Sequence, residues 1–129
     1  MNEWRFLDYF ERDRSLIQEW MDNKQLVPVK AKAKMQRTLL QLSGTALWTR
    51  PLASNLDDYP GIVEIRIRWM NTQYRLLGYR GPNAREFTLL FPALEKDDQF
   101  VPPNAPLIAT NRMEIVQSDG SRAREHRFG

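Results

Sequence analysis

Residues 62–96 contain three runs of strand-type alternation separated by short turns, and the first carries all its charge on one side. In Ile62-Val63-Glu64-Ile65-Arg66-Ile67-Arg68-Trp69, a period of two sends Val63, Ile65, Ile67 and Trp69 one way and Glu64, Arg66 and Arg68 the other. The second run, Gln73 to Arg80, adds Arg75 and Arg80 together with Tyr74 and Tyr79. The third, Glu86 to Phe91, leads into Glu95-Lys96. Turns are predicted near Met70-Asn71-Thr72 and at Gly81-Pro82-Asn83. A sheet with one apolar and one guanidinium-rich face requires a packing layer on the first and an anionic or acidic partner on the second.

Around this sheet the patterning predicts helices. Trp4 to Phe10 reads as a first strand, and Asp13 or Ser15 as the cap of a helix running to about Lys24 with the stripe Leu16, Ile17, Trp20, Met21. Pro28 suits the first position of a second helix that stops at Ser43-Gly44, with Met35, Leu39 and Leu42 on one face. The two form a helix hairpin for the apolar side of the sheet. Residues 45–61 read as a long loop and 97–106 as a rigid, Pro-rich one. A last helix begins at Ala105 or Pro106. The expected fold is α+β in the order β-α-α-β-β-β-α, an antiparallel sheet with the hairpin on one face and the other left open. At 129 residues the chain suits one domain, 1–117, followed by a basic tail, 118–129, without apolar periodicity and expected to be flexible.

Charge is unevenly placed. Residues 29–80 hold nine Lys/Arg against three acids, whereas 1–28 and 81–129 are each slightly acidic. That distribution suits a phosphate-binding surface in the middle of the chain, with a merely solvated basic face as the alternative. No apolar run is long enough to span a bilayer, no secretory leader is expected, and the absence of cysteine suits the cytoplasm.

A single histidine, His126, and no cysteine leave no conventional zinc site and no His- or Cys-based triad. The remaining inventory of Arg, Lys, Tyr and carboxylates suits RNA cleavage by the substrate's own 2′-hydroxyl, where positioning and charge neutralisation dominate. No metal or other cofactor is expected for that chemistry. Lys96, Glu64, Glu95 and Tyr79 are the groups available for proton transfer. Tyr74, Tyr79 and Trp69 could stack bases, although Trp69 shares the apolar face and reads as core.

Several short motifs recur in the order of one family. Gly61-Ile62-Val63-Glu64-Ile65-Arg66 is followed by Tyr74-Arg75-Leu76-Leu77, then Phe87 to Phe91, Glu95-Lys96, prolines 102 and 103, and Ala109-Thr110-Asn111-Arg112. Together they resemble the RelE/ParE superfamily of type II toxin–antitoxin modules, in particular its phage-type HigB-like branch. The resemblance implies a microbial-RNase-like (RelE-like) fold and ribosome-dependent, metal-independent mRNA cleavage. It also implies a cognate antitoxin, typically a small helix-turn-helix protein. By position it assigns catalytic roles to Arg66, Arg75 and Lys96. RNA contacts are expected from Arg68, Arg80, Lys30, Lys34, Arg37 and Tyr79.

The chain departs from the family pattern at Glu95, at Phe91-Pro92 and at the acidic Asp97-Asp98, and its last helix has no tyrosine. Those departures keep open a non-catalytic protein of the same fold, blocking a host target such as gyrase as ParE-like relatives do, or binding nucleic acid. A metal-dependent nuclease using Asp58 and Glu64 is the third reading.

Overall fold

The computed structural model describes residues 3–128. It is a mixed α+β fold of three helices and an eight-stranded sheet. The elements are β1 (Arg5–Glu11), β2 (Arg14–Ser15), α1 (Leu16–Asp22), α2 (Val29–Ser43), β3 (Ala53–Asn55), β4 (Val63–Trp69), β5 (Thr72–Arg80), β6 (Glu86–Lys96), β7 (Gln99–Val101), α3 (Ala105–Ser118) and β8 (Ala123–Glu125), with a 3-10 turn at Gly120–Arg122. The strand order is β2-β1-β6-β5-β4-β3, with β7 added to β6 and β8 to β1. No helix of the described residues is long and apolar enough to cross a membrane.

The helices start where side-chain chemistry requires. Ser15, rather than Asp13, caps α1 by accepting the Gln18 N–H at 3.0 Å. Pro28 precedes α2 as its cap residue instead of occupying the first turn. Both helices lie on the apolar side of the sheet, where Ile17, Met21, Met35, Leu39 and Leu42 pack with Val63, Ile65, Ile67 and Leu76 in one buried cluster. Trp48 joins them, stacked on Phe6 with ring centroids 5.6 Å apart.

Four expectations about the strands and the C-terminal segment are corrected. The sheet is mixed, because β1 runs parallel to β6 over Arg5–Asp8 and Glu86–Leu89, the two being separated by both helices and the β4–β5 hairpin. The 45–61 loop contains β3, which pairs with β4 from Ala53↔Ile65 to Asn55↔Val63 and covers its edge. The 97–106 segment contains β7. Asp97 and Asp98 form the tight turn between β6 and β7, at φ 53° and 61°, and short acidic residues tolerate that left-handed conformation. The same construction, Arg12-Asp13 at φ 50° and 62°, joins β1 to β2.

The fourth concerns residues 118–129, which are built into the fold as far as the described residues run. β8 pairs antiparallel with β1 from Leu7↔Glu125 to Tyr9↔Ala123. His126 is buried beyond it, its Nδ1 2.8 Å from Asp8 Oδ1 and its Nε2 2.8 Å from Gln36 Oε1 on α2. The segment lacks apolar periodicity because backbone pairing and one buried polar side chain hold it.

The second face of the sheet is not open either. Ala105, Ala109, Met113 and Val116 of α3 pack there with Leu77, Tyr79, Leu90 and Ala93. Gly61, at φ 87°, turns the chain into β4 with Met113 Sδ 3.2 Å from where a Cβ would stand. A register shift at Leu77/Gly78 bulges β5 against β6. A Cβ on Gly78 would lie 2.4 Å from both the Phe87 ring and the Thr88 carbonyl, so only glycine fits.

Candidate functional site: paired guanidinium and carboxylate groups beside α3

The part of the second face that α3 leaves uncovered holds the charged side chains of β4 and β5. The Met70-Asn71 turn sets Trp69 opposite Thr72, and that register places Arg68 opposite Gln73, Arg66 opposite Arg75 and Glu64 opposite Leu77. On the far side of β5, Gln73 faces Glu95 and Arg75 faces Ala93 of β6. Three rows result, running Arg68-Gln73-Glu95, Arg66-Arg75-Ala93 and Glu64-Leu77-Phe91.

Two like charges directly opposite across strands repel. Here each guanidinium of the middle row is closed by a carboxylate from a neighbouring row. Arg66 Nε donates to Glu64 Oε1 at 2.7 Å, and Arg75 Nε to Glu95 Oε1 at 3.0 Å. Arg75 also donates from Nη1 to the Tyr74 carbonyl at 3.0 Å and from Nη2 to Gln73 Oε1 at 2.6 Å. It is only 4% exposed, and Glu64 only 3%. The side chains of Arg66 and Glu95 are more open, at 32% and 23%. The expected basic face is therefore a charge-compensated cluster in which one arginine and one carboxylate reach solvent.

The other expected residues are dispersed. Arg68 is exposed at the end of β4, its Nε donating to the Met70 carbonyl at 3.3 Å. Lys96 alternates away from Glu95 and is exposed at the end of β6. Lys30 and Arg37 are exposed on α2, on the opposite side of the sheet, and Lys34 donates to the Arg68 carbonyl. Arg80 lies over Trp4 and Trp48, 5.8 and 5.7 Å from their ring centroids, also on the helix-hairpin side. Tyr79 is buried under α3 with its hydroxyl unpartnered, and burial first, then Glu86, raises its pKa. Arg66 and Arg75 thus come together with Glu64 and Glu95, while Lys96, Arg80, Lys30, Arg37 and Tyr79 do not join them. Tyr79 is too buried to stack a base.

A second collection of arginines is not expected as a group from the sequence, although Arg112 lies in one of the family-like motifs and Arg122 in the basic C-terminal segment. Arg112 of α3 lies 4.9 Å from the Tyr9 ring and 5.2 Å from the Phe91 ring, and its Nη1 donates to the Leu90 carbonyl at 2.8 Å. Burial, above all, lowers its pKa. Arg122 also lies over the Tyr9 ring, 5.1 Å from its centroid, and donates to its hydroxyl at 2.7 Å. The packing of α3 brings Arg112 to Tyr9, and the β1–β8 pairing brings Arg122 there.

No family model matches the chain, and no curated protein or solved structure matches it either. Among the described residues, no three His, Asp or Glu side chains gather as a metal-binding group.

Proposed function

We propose that this protein is the toxin of a type II toxin–antitoxin module, a RelE-like endoribonuclease that cuts mRNA on the ribosome. The observation that carries the reading is the Glu64–Arg66 and Arg75–Glu95 arrangement, in which two guanidiniums and two carboxylates share one face and one member of each pair reaches solvent. The element order and the motif order of residues 61–112 support the family assignment.

Exposure suggests the division of labour. Glu95, the more open carboxylate, takes the proton from the 2′-hydroxyl as that oxygen attacks phosphorus. Arg66, the more open guanidinium, contacts the phosphoryl oxygens as charge builds on them. Arg75 holds Glu95 in place and adds fixed positive charge. The 5′-oxygen leaves as it takes a proton from solvent water, giving a 2′,3′-cyclic phosphate and a 5′-hydroxyl. The antitoxin in this reading is a small helix-turn-helix protein that blocks the same face.

The test is 5′-end mapping of cellular mRNA after induction, with wild type beside Arg66→Ala. New ends within reading frames that disappear in the variant support the proposal. Growth arrest without new ends refutes it. The near-complete burial of Arg75 favours a second reading, a non-catalytic member of the same fold that inhibits a bound target, and intact mRNA with an inhibited topoisomerase selects it.

A further inference from the structure

β1 and β6 pair only as far as Asp8 and Leu89, after which β1 is joined by β2 and β6 by β7. Where they part, two recesses meet at Leu16, which lines both. One is an apolar groove of about 400 Å³ between Trp20, Phe91 and Pro102, with Arg112 on its wall. The other is a cup of about 610 Å³ whose walls include Arg12, Arg14, Arg122 and Arg124. Between them guanidinium and aromatic planes alternate, Phe91, Arg112, Tyr9, Arg122, and Arg124 lies 4.8 Å over Phe10 beyond.

Five arginines meet three acids here. Arg14 is paired with Glu19, Arg124 with Asp13, and Arg122 lies 3.8 Å from Glu11. Those carboxylates are all largely exposed, and exposed pairs exchange readily for a competing anion. Arg12 and Arg112 form no ion pair with any described residue, and Arg112 is already partly stripped of water. Tyr9 itself is buried, so the π-faces the recess offers are those of Phe10, Phe91 and Trp20. A surface that sets cations beside them suits a chain of phosphates bearing flat bases. An acidic peptide would satisfy the guanidiniums but leave the aromatic groove without a planar partner.

We propose that this recess binds single-stranded RNA, as a docking track separate from the Glu64–Arg66–Arg75–Glu95 cluster. It rests on the cleavage reading only in taking RNA as the nucleic acid. The phosphates run past Arg12, Arg124 and Arg122, and bases enter the groove beside Phe91 and Trp20.

The test is fluorescence anisotropy with a labelled, fully 2′-O-methylated RNA of about ten nucleotides, a length within the usual span of single-strand sites and not cleavable by 2′-hydroxyl attack. Arg12→Glu, on an exposed turn with no ion pair to lose, is expected to weaken binding about tenfold and flatten its salt dependence. Arg124→Gln is expected to act in the same direction, while Lys24→Glu, an exposed charge change outside the recess, stays within about twofold of wild type. Cleavage plays no part in this readout, so an inactive protein that binds through Arg12 supports the track and counts only against the cleavage reading. Absence of RNA binding, equal loss in Lys24→Glu and Arg12→Glu, or preferential binding of a poly-glutamate peptide overturns it.

Discussion

His126 closes on Asp8 across 118 residues of sequence, with its Nδ1 2.8 Å from the carboxylate and its ring fully enclosed. Ser15 donates to the other Asp8 oxygen at 2.7 Å, and Gln36 holds the far side of the ring. One buried network therefore joins β1, the start of α1, α2 and the segment after β8. Replacing His126 by Ala leaves Asp8 and Gln36 short of a partner inside the protein. The expected cost is about 3 kcal/mol, at the upper end for a buried polar group left unpaired, read as a lower urea midpoint with an unchanged slope.

Gly78 supplies a second stability prediction. The Thr88 carbonyl, 2.4 Å from where a Cβ would stand, is backbone and cannot rotate aside, so Gly78→Ala must force β5 from β6 at the bulge. A loss of about 3 kcal/mol is expected, as for other overpacked sites. Gly120→Ala, with nothing within 4 Å, is the matched control and should melt like wild type within about 0.5 kcal/mol.

Glu95 separates proton transfer from charge compensation. In the proposed role of proton acceptor, its replacement in Glu95→Gln should lower single-turnover cleavage about a hundredfold, the lower end for general base catalysis. The same change unmasks Arg75, so affinity for a non-cleavable RNA should rise rather than fall. A parallel loss of both would assign Glu95 to holding the fold.

Acid sensitivity should have an identifiable contributor in Asp22. A hydrogen bond from Lys32, at 2.6 Å, and then one from Gln18 hold its pKa below the ordinary aspartate value. A carboxylate with a depressed folded pKa stabilises the protein above its unfolded value, near pH 4, and loses that contribution as pH falls through the folded one. Its side chain is 51% exposed, so the effect is under about 1 kcal/mol. Urea midpoints of wild type and Asp22→Asn should differ at pH 7 and converge at pH 2.

Much of the architecture was legible because its signals are periodic. The alternation of Val63 to Trp69 gave both faces of β4, and the spacing of Met35, Leu39 and Leu42 gave the core side of α2. Charge compensation was harder to see. Arg66 meets Arg75 only through the register imposed by Met70-Asn71, and Glu95 reaches Arg75 only through the pairing of β5 with β6. The arginine recess was invisible for the same reason, since Arg112 reaches Tyr9 only through the packing of α3, and Arg122 joins it only when β8 pairs with β1. A strand as short as Ala123-Arg124-Glu125, held by backbone bonds, leaves almost no mark on hydropathy.

The late pairing of β8 with β1 also bears on biosynthesis. On the ribosome β2 can pair with β1 at once, but β8, which covers Leu7 to Tyr9, follows more than a hundred residues later. Until then Asp8 has Ser15 but lacks His126, and the two halves of the arginine recess lie far apart along an unfinished polypeptide. Docking of β8 thus closes the sheet and completes the recess together, so a chain terminated before Ala123 would have neither.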